Sequence, residues 1–186
     1  MIVDIRGTNG SGKSFIGHNL RAKYKNMQIR NPLVDSVGSI EGYEFPDLKL
    51  FMLGPYESVS GGCDGIRTQN DICRIIERRA PNWNLFIEGL LVSHTFTRWN
   101  NMALRFPGWK FFFLNTPLDI CIQRTQARRD AKGTTKPFDP THLTNDWYSC
   151  KRVRTKMLAA GRDITDLDHT RSFEIVEEVL LRNVKV

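Results

Sequence analysis

No stretch of this 186-residue sequence approaches the roughly 18 to 20 consecutive apolar residues that a membrane-spanning helix needs, so no span is expected. Cysteine is scarce. Cys63, Cys73, Cys121 and Cys150 stand far apart without a C-x-x-C pair, which argues against a disulfide framework or a thiolate metal site and leaves reduced thiols as the expectation. The four histidines, His18, His94, His142 and His169, lack zinc spacing and are expected to be packing or surface residues. Internal repeats and low-complexity tracts are also missing, and no cleavable leader is expected ahead of the first motif. With 40% hydrophobic residues, the length suits one buried core. A single domain over residues 1–186, soluble and cytoplasmic, is the expectation.

What is present begins with Gly7-Thr8-Asn9-Gly10-Ser11-Gly12-Lys13-Ser14, which satisfies G-x-x-x-x-G-K-[ST] at every fixed position. A short apolar stretch, Met1 to Ile5 interrupted by Asp4, stands before it, and an amphipathic pattern from Lys13 to about Lys25 follows. Strand, turn and helix are the context this motif requires. Its glycines let backbone N–H groups turn inward toward phosphate oxygens, Lys13 can reach the terminal phosphates, and the Ser14 hydroxyl can ligate Mg²⁺. All eight residues are therefore candidate nucleotide contacts, with Lys13 also catalytic.

Residues 27–53 read as short strands broken by Asn31-Pro32, Gly38, Gly42 and Pro46-Asp47, with a hairpin among them. The polar, glycine-paired loop from Tyr56 to Gly65 is long for a structural turn, so Gly61, Gly62 and Asp64 become candidate substrate contacts. Thr68 caps the next helix, with Ile72, Ile75 and Ile76 buried, and Pro81 ends it. Leu85-Phe-Ile is a buried strand ending in Glu88. An acid at that strand end points into the ligand crevice of a parallel sheet and is a candidate for Mg²⁺, although it could instead cap the following helix. Ser93 is the better cap for a helix expected from Ser93 to Phe106. Trp109 to Asn115 reads as a strand buried on both faces. The helix from Pro117 to about Ala131 carries Arg124 and Arg128 four apart, with Arg129 beside them. Such a comb suits the spread negative charge of phosphoryl transfer, or else is a solvated face. A cationic, Gly- and Pro-punctuated segment at about 128–140 has the composition of a lid. A helix to Ala160, a strand at Ile164 to Leu167 and a helix from Ser172 complete an alternation that predicts an α/β P-loop three-layer sandwich, mostly parallel, with helices on both faces.

Charge is uneven along the chain. Between Arg98 and Arg162 lie 13 of the 27 Lys and Arg residues against four acids, net +9, while the remainder is −2. Such an excess suits a polyanionic partner, the alternative being a solvated face. Trp99, Trp147 and Tyr148 are candidate stacking surfaces for a base, or core.

The phosphate loop, the strand ending Phe86-Ile-Glu88-Gly89, the arginine helix after Phe113-Leu-Asn-Thr-Pro117 and the terminal strand and helix together resemble the P-loop kinases of the nucleoside and nucleotide kinase superfamily. More narrowly, Gly61-Gly62-Cys63-Asp64, the run from Glu88 to His94 and Thr135-Lys136-Pro137-Phe138 are similar to small bacteriophage P-loop proteins, some of them 5-hydroxymethyluridine DNA kinases. The chain has neither the Asp-Arg-Tyr of thymidylate kinases nor the Glu-Arg-Ser of cellular deoxynucleoside kinases, but Glu88-Gly89-Leu90. The resemblance implies ATP and Mg²⁺ as cofactors and transfer of the γ-phosphoryl group to the hydroxymethyl group of a modified base in DNA. The alternatives are a deoxynucleoside or deoxynucleotide kinase and a P-loop ATPase or nucleotide sensor. Arg124 and Arg128 would steady the transferred group. Asp64, Asp35 and Glu88, in that order, are the candidate bases, and Arg98, Arg129 and Lys136 are further acceptor-side contacts.

Overall fold

The computed structural model describes residues 1–24, 26, 28–30, 40–58 and 61–182; Asp35 lies outside them. Strands β1 (Ile2–Arg6), β2 (Gln28–Arg30), β3 (Gly42–Phe45), β4 (Leu50–Leu53), β5 (Asn84–Glu88), β6 (Trp109–Leu114) and β7 (Asp163–Leu167) form one seven-stranded sheet in the order β2-β3-β4-β5-β1-β6-β7. The five strands from β4 to β7 in that order run parallel. The hairpin expected between residues 27 and 53 is present as the antiparallel meander β2-β3-β4 at one side.

Helices α1 (Lys13–Lys23), α2 (Gln69–Arg79), α3 (Leu90–Ser93), α4 (Thr97–Arg105), α5 (Leu118–Ala131), α6 (Thr141–Ala159) and α7 (Ser172–Leu181) cover the sheet. The period of two along each strand divides the core. Ile2, Leu85, Ile87, Trp109, Phe111 and Phe113 pack with α2, α4 and α6, whereas Val3, Ile5, Phe86 and Phe112 pack with α1 and α7. Both faces are covered, which is why the central strands read as nearly unbroken apolar runs. The three-layer α/β sandwich expected from the sequence is the fold observed.

Two local expectations are corrected. The segment from Ser93 to Phe106 is not one helix: α3 ends at Ser93, and α4 begins only at Thr97. Ser93 does not cap α4, because its hydroxyl donates to the Gly89 carbonyl (2.6 Å) and accepts the Gly7 N–H (3.1 Å), tying α3 to the phosphate loop. Of the two readings of Trp99, core is the one observed: it is fully buried on the inner face of α4, its ring 6.4 Å from that of Trp109. The Thr68 cap holds, accepting from the Asp71 N–H at 3.1 Å.

Asp4, which had read as a blemish in β1, has a partner two residues on. Positions two apart on a strand share a face, and the Asp4 carboxylate accepts from Arg6 (2.8 and 3.1 Å) and from Trp109 Nε1 (3.1 Å), all fully or nearly buried. The Arg6 guanidinium lies 4.8 Å over the Phe111 ring and donates to the Thr95 carbonyl at 3.4 Å. Removing either partner would strand a buried charge directly beneath the phosphate loop.

Candidate phosphoryl-transfer site

β1 delivers Gly7 to Ser14 to the carboxyl end of the sheet, and α1 begins within the motif at Lys13. Gly10 has φ +76°, and a Cβ there would meet the Cys121 carbonyl oxygen of α5 at 2.4 Å, so only glycine lets the loop sit this close to α5. Lys13 is nearly buried. Its Nζ folds onto the Gly7 and Thr8 carbonyls at 2.9 and 3.0 Å, holding a cation over the loop.

Glu88 ends β5, in register with Ile5 on the neighbouring strand. Its carboxyl is fully buried on the α1 side, with the Ser14 and Tyr56 hydroxyls near it. Neither makes a hydrogen bond of ordinary geometry, so both of its oxygens lack a protein partner among the described residues. Burial raises its pKa to about 7, against which the Lys13 charge pulls down and Asp64 pushes up. A buried, unpartnered carboxylate facing a phosphate-loop serine is a donor set suited to Mg²⁺.

The Gly61-to-Asp64 loop is brought to this carboxyl. A Cβ at Gly62 would come within 2.5 Å of the Glu88 carbonyl oxygen, so the loop backbone lies directly on the strand end. Asp64 is exposed and lines the cleft over the phosphate loop, and both of its oxygens are engaged: they accept the Leu90 and Leu91 N–H groups at 2.7 and 3.1 Å, fixing the start of α3. By geometry Asp64 is an anchor for the Glu88 segment.

A cleft of about 810 Å³ opens over the loop, walled by Arg124, Ala127 and Arg128 of α5 and, across from them, by His169 and Thr170 after β7. Arg124 reaches the Gly10 carbonyl at 3.4 Å. Two members of the arginine comb therefore face the cleft. Arg129 does not, donating instead to the Lys136 carbonyl and lying 5.6 Å over the Phe138 ring, so it braces residues 132–138; the lid expected from about 128 is corrected at its start, since 128–131 are the last turn of α5. Residues 132–137 are exposed. Arg98 stands apart from the cleft, bonded to Asn70 between α2 and α4.

Sequence reasoning missed His169 and Thr170, since nothing local marks a β7–α7 turn as a nucleotide wall. It also missed His94, whose Nδ1 lies 3.5 Å from Asp146 while Nε2 is buried without a partner. Burial lowers its pKa, the Asp146 carboxylate opposes this, and Lys13 and Asp64 both act on it, so it belongs to the site's electrostatic neighbourhood. The relevant signal was its place six residues after Glu88.

With two arginines over the phosphate loop and a buried acid at the end of the neighbouring strand, the site has the parts of a phosphoryl-transfer centre, and the class is that of the P-loop kinases. No protein-family model matches the chain. A Bacillus subtilis protein crystallised with phosphorylated GDP has a similar fold, with a TM-score of 0.55 at 11% identity over 100% of this chain and 99% of that one. The 5-hmdU DNA kinase of Pseudomonas phage PaMx11 is 31% identical over 189 residues, spanning 96% of both chains. That of Pseudomonas phage M6 is 26% identical over 186 residues, again 96% of each. The chain belongs to the 5-hmdU DNA kinase family.

Proposed function

We propose that this protein transfers the γ-phosphoryl group of ATP to the hydroxymethyl group of 5-hydroxymethyluridine in DNA. The observation that carries the chemistry is the buried, unpartnered Glu88 carboxyl beside Lys13 and Ser14, and the family supplies the acceptor. The phosphate loop, Arg124 and Arg128 hold the triphosphate, and the cleft wall at His169 and Thr170 receives the nucleoside. The Ser14 hydroxyl would hold Mg²⁺, which would neutralise phosphate charge, while Glu88, the carboxyl beside it, is assigned to the proton instead. As the acceptor oxygen bonds to phosphorus and the bond to the β–γ bridging oxygen breaks, the acceptor's proton passes to a carboxylate. With its pKa raised to about 7 by burial, Glu88 suits that role better than Asp64, whose two oxygens already accept backbone N–H groups. Arg124 and Arg128 neutralise the charge spread over the equatorial oxygens without losing a proton. The lid covers the site so that the acceptor hydroxyl, not water, meets the phosphorus.

Incubation with labelled ATP and, in parallel, ordinary DNA, hydroxymethyluracil-containing DNA and mixed deoxynucleotides tests the assignment. Label is expected on the modified DNA alone, and none with Lys13→Ala. Label on a deoxynucleotide but not on DNA would transfer the assignment to a nucleotide kinase; label released only as free phosphate would make the protein an ATPase.

A further inference from the structure

The +9 segment supplies more cations than the nucleotide cleft uses, and the structure separates those already neutralised from those that are not. Arg154 pairs with Asp166, Lys110 with Asp163 and Arg105 with Glu77. Lys151 lies 3.7 Å over the Trp147 ring, and Arg124 and Arg128 face the cleft. Of the other seven, Arg129, Lys132 and Lys136 lie at or just beyond the end of α5 and Arg162 bonds to Asn100, which leaves Arg98, Arg152 and Lys156 together: among the described residues none of these three pairs with a carboxylate, Arg98 bonding to Asn70 and Arg152 to the Ser149 hydroxyl. These three are not scattered. Arg152 and Lys156 line a groove of about 330 Å³ between α6 and the α3–α4 turn, and Arg98 lines one of about 680 Å³ between α2 and α4.

The two grooves share Thr95 and Thr97, so they meet across the α3–α4 turn as one polar track with unneutralised cations on both sides. That turn is joined to the reaction centre. Arg6 of β1 donates to the Thr95 carbonyl, and two residues earlier the Ser93 hydroxyl holds the Gly7 N–H of the phosphate loop. The turn is thus tied through the interior to the phosphate loop, and the smaller groove is lined by His94, on which the charges of Lys13 and Asp64 act, while the larger runs along α4. A polynucleotide acceptor has such a need: one base enters the site while flanking phosphates must be held outside it.

We infer that the track formed where these grooves meet at Thr95 and Thr97 is the seat of the DNA strand, with Arg98, Arg152 and Lys156 contacting its phosphates. The inference rests on the DNA kinase assignment above and adds where the strand lies. Phosphate contacts position without reading sequence, so bases flanking the target are expected to matter little.

Binding of a fluorescent single-stranded oligonucleotide carrying one hydroxymethyluracil, followed by anisotropy between about 50 and 200 mM salt, tests it. Three phosphate contacts on a single strand account for a log–log salt slope of about 2, so the triple variant Arg98→Ala, Arg152→Ala, Lys156→Ala is expected to flatten the slope by that amount. At low salt it should bind at least ~10-fold more weakly. The charge-keeping variant Arg98→Lys, Arg152→Lys should retain the wild-type slope. If the triple variant fails to fold, Lys156→Ala alone, an exposed change, should still flatten the slope by about 0.7. A wild-type protein that phosphorylates modified DNA while the alanine variants keep its slope and affinity would overturn the track and leave the kinase assignment standing. A wild-type protein that labels no DNA would overturn the assignment itself, and the track with it.

Discussion

Replacing Glu88 by glutamine separates the cost of this carboxyl to the fold from its use in the reaction. The side chain is fully buried with only the Ser14 and Tyr56 hydroxyls near its oxygens, and burial lifts its pKa from 4.5 to about 7 despite the opposing Lys13 charge. Between those values the folded chain binds a proton that the unfolded chain has released, so stability falls as pH rises through this window and levels off above it. At about 1.4 kcal/mol per pH unit, the wild type loses about 2 to 3 kcal/mol between pH 5 and pH 8 through this one group. Glutamine keeps the shape and cannot ionise. The thermal midpoint of Glu88→Gln, measured in chelator without nucleotide, should therefore gain on the wild type by about 5 to 10 °C more at pH 8 than at pH 5. Any fixed difference in packing or hydrogen bonding cancels in that comparison. Phosphoryl transfer by the same variant should fall ~10²- to 10⁴-fold, the range for losing a general base. A stability gap that stays the same at the two pH values, or widens toward pH 5, would refute the burial argument whatever happened to activity.

Two other substitutions sort structural from chemical roles. Trp99→Ala should cost about 3 to 5 kcal/mol and lower the thermal midpoint by roughly 6 to 20 °C, as a large side chain removed from the sealed core does; unchanged stability with weakened DNA binding would restore the stacking role. Asp64→Ala, which frees the Leu90 and Leu91 N–H groups, should destabilise by about 0.5 to 2 kcal/mol and slow transfer less than Glu88→Gln does. Steady-state rates of the two variants side by side check that order, and a larger loss at Asp64 would return the base to it.

The fold was legible because its signals are local. The phosphate loop follows its strand directly, Thr68 caps within three residues, and two-sided burial writes itself as unbroken apolar strands. Glu88 was legible for a related reason: a strand's end in a parallel sheet is a fixed place, and the acid stood there. What stayed hidden depends on meetings across the chain. His169 faces Arg124 across some 45 residues of sequence, and His94 meets Asp146 across more than 50. Trp99 sits on a helix whose pattern permits either core or surface, and only the facing Trp109 decides. Asp64 ranked first as a base from its place in a glycine-rich loop, yet loop placement cannot reveal that two backbone N–H groups of α3 already engage its oxygens. The Asp4–Arg6 pair is the exception, since opposite charges two apart on a strand share a face and could have been paired by pattern alone.

That pair also ties the phosphate loop to the α3–α4 turn. β1 ends in Arg6, whose guanidinium is clamped by Asp4, lies over Phe111 and reaches the Thr95 carbonyl; the next residue, Gly7, opens the phosphate loop and is held by Ser93. One strand end therefore fixes both the loop that orients the triphosphate and the turn at which the two cationic grooves meet. A charge pair fully removed from water is poor as a source of stability, since its desolvation offsets most of its attraction, but it tolerates little displacement. Where a phosphoryl donor and an acceptor hydroxyl must meet in line, a displacement of about 1 Å is enough to cost rate. The rigidity of this buried pair is thus of more use to the reaction than to the stability of the fold.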